Sequence, residues 1–138
     1  MSEVNDDKKT SSSIGKRNRR RGHNYECKII KELKEITGDD ALCTSRSESK
    51  RLDDMKIDIA DPNGILPFYC QIKSTQSMPQ VQKLNNEVGK KDKPLCIIWA
   101  KQEMKEKKQI SVGEYCILPK KLFYDLLRVM YNDQRSQF

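Results

Sequence analysis

The chain has 138 residues and a formal net charge of +7, with 36 % hydrophobic and 34 % charged residues, a length that suits one compact domain. No apolar run approaches the ~18 residues of a transmembrane helix, and the charged start does not read as a signal sequence. The expectation is a cytoplasmic protein, in the host-cell cytoplasm if viral, and neither secreted nor membrane-spanning. Five cysteines (Cys27, Cys43, Cys70, Cys96 and Cys116) form no CxxC and no close Cys/His pair. That speaks against a disulfide framework or a structural zinc, and for small buried thiols in a reducing compartment.

Residues 1–23 hold seven basic and three acidic side chains. Lys16, Arg17, Arg19, Arg20 and Arg21 place five cations in six positions. Almost no apolar side chain precedes them, so residues 1–21 are expected to be a disordered basic arm, followed by a single domain over 22–138. A solubilising extension would have the same composition. Phosphate neutralisation is the stronger reading because the rest of the chain is also mildly basic.

From residue 23 to 37 the spacing of Ile29, Ile30, Leu33 and Ile36 predicts a helix, with Gly38 as its stop. Residues 41–45 read as a short strand and the polar stretch 45–54 as an exposed, mobile loop. Residues 55–60 alternate as a strand, 61–64 (Asp-Pro-Asn-Gly) turn, and 65–74 resume an extended pattern, together a hairpin. A second helix is expected over 79–88, with Ser77 as its cap and Pro79 in its first turn. The apolar run 95–100 fits a buried central strand containing Trp99, 101–108 a charged connector, and 109–118 another strand. Pro119 opens a last helix with Leu122, Phe123, Leu126, Leu127 and Met130 on one side, available to core or interface. The order α-β-β-β-α-β-β-α predicts an α/β fold with a mixed sheet flanked by helices.

The hairpin carries the chemical signal. Successive strand side chains alternate faces, so Ile57 and Ile59 are expected together, opposite Asp58. On the next strand Leu66, Phe68, Cys70 and Ile72 oppose Tyr69, Gln71 and Lys73. Asp58, Gln71 and Lys73 then emerge together as a carboxylate, an amide oxygen and a lysine, a metal-plus-base arrangement. Glu26 lies on the apolar stripe of the first helix, three, four and seven residues before Ile29, Ile30 and Leu33. A carboxylate there needs a partner, a proton or a metal. Each residue alone has a plainer explanation: a strand-end polar group, a solvated lysine, a helix-start acid. Asp53 or Asp54 would replace Asp58 if the strand began earlier. Tyr69 reads as packing, and His23, the single histidine, as a phosphate or solvent contact.

Glu26, Asp58 and Gln71-Ile72-Lys73 resemble the pattern of the PD-(D/E)XK nuclease superfamily: a helix-borne Glu, an Asp at a hairpin, then Glu/Asp-x-Lys. Gly22 to Glu26, the Ser/Arg/Lys-rich loop and Lys73-Ser74 are most similar to archaeal-type Holliday-junction resolvases. The resemblance spans residues 16–75. It implies a restriction-endonuclease-like core with a five-stranded mixed sheet, and hydrolysis of DNA phosphodiesters with Mg²⁺ (or Mn²⁺). It further implies metal held by Asp58, Gln71 and Glu26, with Lys73 as the fourth catalytic residue, and a homodimer that cuts both strands of a branched, four-way substrate. Lys16, Arg17, Arg19, Arg20, Arg21, Arg46, Ser47, Lys50 and Arg51 are the expected DNA contacts. Gln71 departs from the usual acid and is similar to Mrr-type endonucleases, which suggests duplex DNA as an alternative substrate. A further alternative is a non-catalytic nucleic-acid-binding protein that retains the fold.

Overall fold

A computed structural model describes residues 2–48, 50–89 and 91–136, with side chains for 14–46, 51–52, 54–89 and 91–132. Six consecutive buried residues, Leu95 to Ala100, begin β4 (Leu95–Lys105), the centre of a three-stranded sheet. A strand covered on both faces needs such an unbroken apolar run. β4 lies parallel to β3 (Tyr69–Thr75) and antiparallel to β5 (Lys108–Ile117). The parallel pair is joined through α4 (Val81–Val88), as parallel strands require a crossover.

Alternation along β3 and β4 sorts the core into two layers. Cys70, Ile72, Cys96, Ile98 and Ala100 pack with Tyr25, Ile29 and Ile30 of the first helix, α1 (Ser2–Thr37). Leu95, Ile97 and Trp99 pack on the other side with Val88 and Leu84 of α4. Cys70 stands directly beside Cys96 in the parallel register, both buried.

Beside this sheet lies a second, two-stranded antiparallel one, β1 (Cys43–Thr44) with β2 (Ile59–Ala60). The expected single five-stranded sheet is thus divided into sheets of two and three strands. Residues 55–60 do not form a full strand, and β2 and β3 form no regular hairpin ladder. Lys56 adopts φ +62°, and the Ile57 N–H bonds back to Leu52 O, closing a helical turn instead of extending. Ile57 and Ile59, expected on one face, therefore enter opposite layers, Ile57 toward α4 and Ile59 toward α1.

Other expectations change for local reasons. The polar stretch 45–54 contains two short helices, α2 (Ser45–Glu48) and α3 (Lys50–Asp54), and Ser45 is buried. Residues 101–108 are no connector but the end of β4, a tight turn and the start of β5. Glu106 and Lys107 both take positive φ, which matches the twist of a two-residue hairpin turn. α4 starts at Val81, its N-cap residue Gln80 provides no side-chain cap, and Ser77 instead accepts a bond from Thr75 through its carbonyl. The arm expected to be disordered is helical from Ser2 onward. Over 16–21 Arg and Lys are good helix formers. Extending a helix already nucleated by its packed half is cheap compared with starting one, which carries it through the weaker helix formers before them. In α5 (Lys120–Ser136) Leu122 is buried, while Phe123, Leu126, Val129 and Met130 stay exposed.

Ile97 is 1 % exposed at the centre of the α4-side layer. Ile97→Ala is expected to cost about 2–5 kcal/mol, read as a lower urea midpoint at unchanged slope.

Candidate active site at the seam between the two sheets

Asp58 sits where the sheets meet. Its carbonyl accepts the Ser45 N–H at 3.0 Å, and its own N–H donates to Cys70 O at 2.9 Å. Two residues further along β3 the strands have parted, and no ladder carbonyl of β2 serves the Ile72 N–H. The Asp58 carboxylate takes its place: Oδ2 accepts that N–H at 2.7 Å. A charge-assisted bond of this kind contributes about 1.5–3 kcal/mol. It ties the carboxylate to the backbone between Gln71 and Lys73.

Gln71 and Lys73 point to the α4 side, beside Ile97 and Trp99 in the register. Gln71 is 1 % exposed, and neither its Oε1 nor its Nε2 has a hydrogen-bond partner among the described residues. Lys73 is half-buried and lines a cavity of about 430 Å³ with Lys83, Leu84 and Glu87 of α4 and Met78. Lys83 and Glu87 went unnoticed in the sequence; the signal was a Lys–Glu pair at i, i+4 flanking the apolar Leu84–Val88 pair.

Glu26 is half-buried and engaged in an interaction of its own. It lies on the α1 stripe that packs against Cys70 and Ile72, so it approaches from the opposite side of the sheet to Gln71 and Lys73. The four residues do not share one face. The edge of β3 at Asp58 is where the two sides meet. Hard oxygen donors such as the Asp58 carboxylate and the orphaned Gln71 amide oxygen suit Mg²⁺ or Mn²⁺. Among the described residues, no three or more His, Cys, Asp or Glu side chains cluster as a metal site.

Lys16, Arg17, Arg19 and Arg20 are exposed on α1, and Arg21, half-buried, donates to Asn18 Oδ1 at 3.3 Å. Arg46 on α2 and Arg51 on α3 are exposed, and Arg51 borders a cavity of about 270 Å³ with Asp61, Asp92 and Lys93. The side chains of Ser47, Lys50 and Asp53 lie outside the described residues. Asp54 belongs to α3, not to a strand, and cannot take Asp58's place at the seam. The Tyr69 hydroxyl donates to Asp92, which lowers the Asp92 pKa and raises that of Tyr69. His23 lies against Cys27 Sγ at 3.6 Å on the exposed side of α1. Trp99 is core, as expected, with its indole N–H on Thr75. No helix among the described residues is long and apolar enough to cross a membrane.

No protein-family model, curated protein or solved structure matches the chain.

A buried amide with both ends unpaired is a stability cost that an apolar isostere removes. Gln71→Leu is therefore expected to raise folding stability by about 1 kcal/mol in urea titration of the metal-free protein. A lower midpoint would show that the amide has a partner essential to the fold.

Proposed function

We propose that this chain is a metal-dependent DNA endonuclease acting on branched, four-way substrates, in the manner of the PD-(D/E)XK resolvases its motifs resemble. The observation that carries the reading is the Asp58 carboxylate bonded to the N–H of Ile72, between Gln71 and Lys73, at the point where two strands part. A carboxylate held at the edge of β3 against a Gln-x-Lys segment resembles the hairpin motif of that superfamily. The parallel β3–β4 pair with its crossover helix fits the core of that superfamily, with β1 and β2 as its divided outer strands.

Asp58 and Gln71 would hold the metal, with Glu26 reaching it through water from the α1 side. When bound, Mg²⁺ or Mn²⁺ supplies phosphoryl polarisation and a more acidic water. Lys73 orients that water and offsets charge developing on the phosphate. Lys83, on the same cavity, is a further cation for the strand. Lys16, Arg17, Arg19, Arg20 and Arg21, together with Arg46, Ser47, Lys50 and Arg51, hold the backbone by charge and not by sequence. A homodimer fits symmetric cutting, and the exposed Phe123, Leu126, Val129 and Met130 of α5 provide apolar surface for a second copy. The cytoplasm is the compartment this reading implies. Gln71-Ile72-Lys73 also suits an Mrr-like enzyme acting on duplex DNA. The complete burial of Gln71 favours a second reading, a nucleic-acid-binding protein without catalysis, because a sealed amide serves packing as well as ligation.

Cleavage of labelled four-way, duplex and single-stranded DNA with Mg²⁺ separates these readings. Wild type is expected to cut four-way DNA in preference to linear duplex. Asp58→Ala and Lys73→Ala should abolish cutting while binding persists. Gln71→Glu should lower the Mg²⁺ concentration needed for half-maximal rate and enlarge the Mg²⁺-induced rise in Tm, because a carboxylate adds charge at the same reach. No cutting by wild type with Mg²⁺ or Mn²⁺, together with retained DNA binding, would favour the binding-only reading.

Deleting residues 1–21 should remove about five phosphate contacts and reduce the slope of log K against log salt by about 4–5. An unchanged slope in a salt titration of binding would remove the basic segment from the interface.

A further inference from the structure

We infer that the groove between α1 and the β4–β5 hairpin is a second nucleic-acid contact, a seat for a backbone phosphate built by Arg21, Tyr25 and Lys28 and guarded by Glu114. The inference rests on the DNA-acting reading above and adds to it a site on the other side of the sheet from Lys73.

The groove is a cavity of about 290 Å³. Arg21, Tyr25 and Lys28 come from α1, and Ser74, Gln102 and Glu114 from the three strands facing it. Of the five cations at 16–21, Arg17 and Arg21 share one stripe of the helix with Asn24 and Lys28, at spacings of four, three and four. Lys16 and Arg20 lie about 120° and about 80° round the helix from Lys28, off that stripe. The stripe runs about 16 Å along the axis and ends on the groove.

Three features give the groove an appetite for an anionic oxygen. The Tyr25 side chain is 9 % exposed, and its hydroxyl, although near Glu114, has no hydrogen-bond partner of acceptable geometry among the described residues. Burial, followed by the influence of Glu114, pushes its pKa up, so the phenol keeps its proton and remains a donor. The Lys28 ammonium stands over the Tyr25 ring at 5.8 Å and is held there by Glu114 at 3.0 Å. That pair is half-exposed on both sides, and a solvated bridge of this kind is weak enough to exchange for a more strongly charged partner. Gln102, 4 % exposed, donates to Ser74 Oγ at 3.0 Å and firms the floor.

A phosphodiester oxygen matches this set. It replaces Glu114 as the partner of Lys28, takes a second charge from Arg21, and accepts the unused Tyr25 proton. Glu114 keeps the cation in place while the seat is empty and yields to a more strongly charged partner. Ser74 follows Lys73 in the chain, so a strand leaving the seam around the end of β3 reaches this groove next.

The test is binding of the full chain to a fluorescent four-way junction by anisotropy in EDTA, where cleavage plays no part. Tyr25→Phe keeps the ring and removes one donor. It should weaken binding about three- to ten-fold with an unchanged salt slope. Lys28→Ala should weaken binding and lower the slope by about one. Glu114→Gln should tighten binding several-fold, since the resident competitor is gone. Urea midpoints of all three variants check that the fold is retained. Wild-type binding left unchanged by both Tyr25→Phe and Glu114→Gln would overturn the phosphate seat and leave the endonuclease reading standing. No binding by wild type to any DNA would overturn both.

Discussion

One residue, Asp58, closes the seam between the two sheets where their strands diverge, with its main chain and its carboxylate. Antiparallel strands that part leave an N–H without a carbonyl, and burying an unpaired N–H is costly. At the seam that N–H belongs to Ile72 and its acceptor is Asp58 Oδ2. The main chain of Asp58 bonds on both sides, to Ser45 and to Cys70. The order of the small sheet, the start of α2 and the edge of β3 all meet at this residue. A group that serves the fold and also binds a cation must be shared between them. Metal at Asp58 would therefore act on seam geometry as well as on chemistry.

The parts of the structure that were legible in the sequence are those where one local signal dominates. The run from Leu95 to Ala100 reads as a central strand because both its faces are covered. The α1 stripe of Ile29, Ile30 and Leu33 and the alternation of Cys70 and Ile72 against Gln71 and Lys73 match the two layers of the core. Illegible parts depend on backbone conformations that composition does not encode. Lys56 at positive φ breaks a stretch with perfect strand alternation. Glu106 and Lys107 form a tight turn without the Asn or Gly that usually signals one.

The candidate site divides along the same line. That Asp58 lies beside the Gln71-Ile72-Lys73 segment was legible from chain order, but the parity that put all three side chains on one face does not hold. Lys56 breaks the strand before Asp58, and the carboxylate meets the Ile72 N–H at the edge of β3. The sealing of Gln71 was not legible, since it depends on Ile97 and on how closely α4 covers the sheet. Glu26 was legible as a half-buried helix carboxylate, but its approach from the opposite side of β3 was not. Helical periodicity specifies which stripe packs and leaves open which face of a sheet receives it. A helical rather than disordered basic segment also changes the electrostatics: cations spaced along a rigid axis divide into separate stripes, whereas a flexible arm presents them all to one surface.

The side-by-side thiols of Cys70 and Cys96 make the chain its own probe of opening. The neighbouring Cys96 thiol, and then burial, hold Cys70 well above the ordinary thiol range, so its nucleophilic thiolate form is suppressed in the native state. Cys27 and Cys116 are exposed and lie within reach of an alkylating reagent without any unfolding. Timed alkylation read by mass would therefore separate two clocks in one sample. Modification of Cys27 reports simple encounter with solvent. Modification of Cys70 and Cys96 requires α1 to lift from the sheet face that holds them, and its rate measures how often that layer of the core opens.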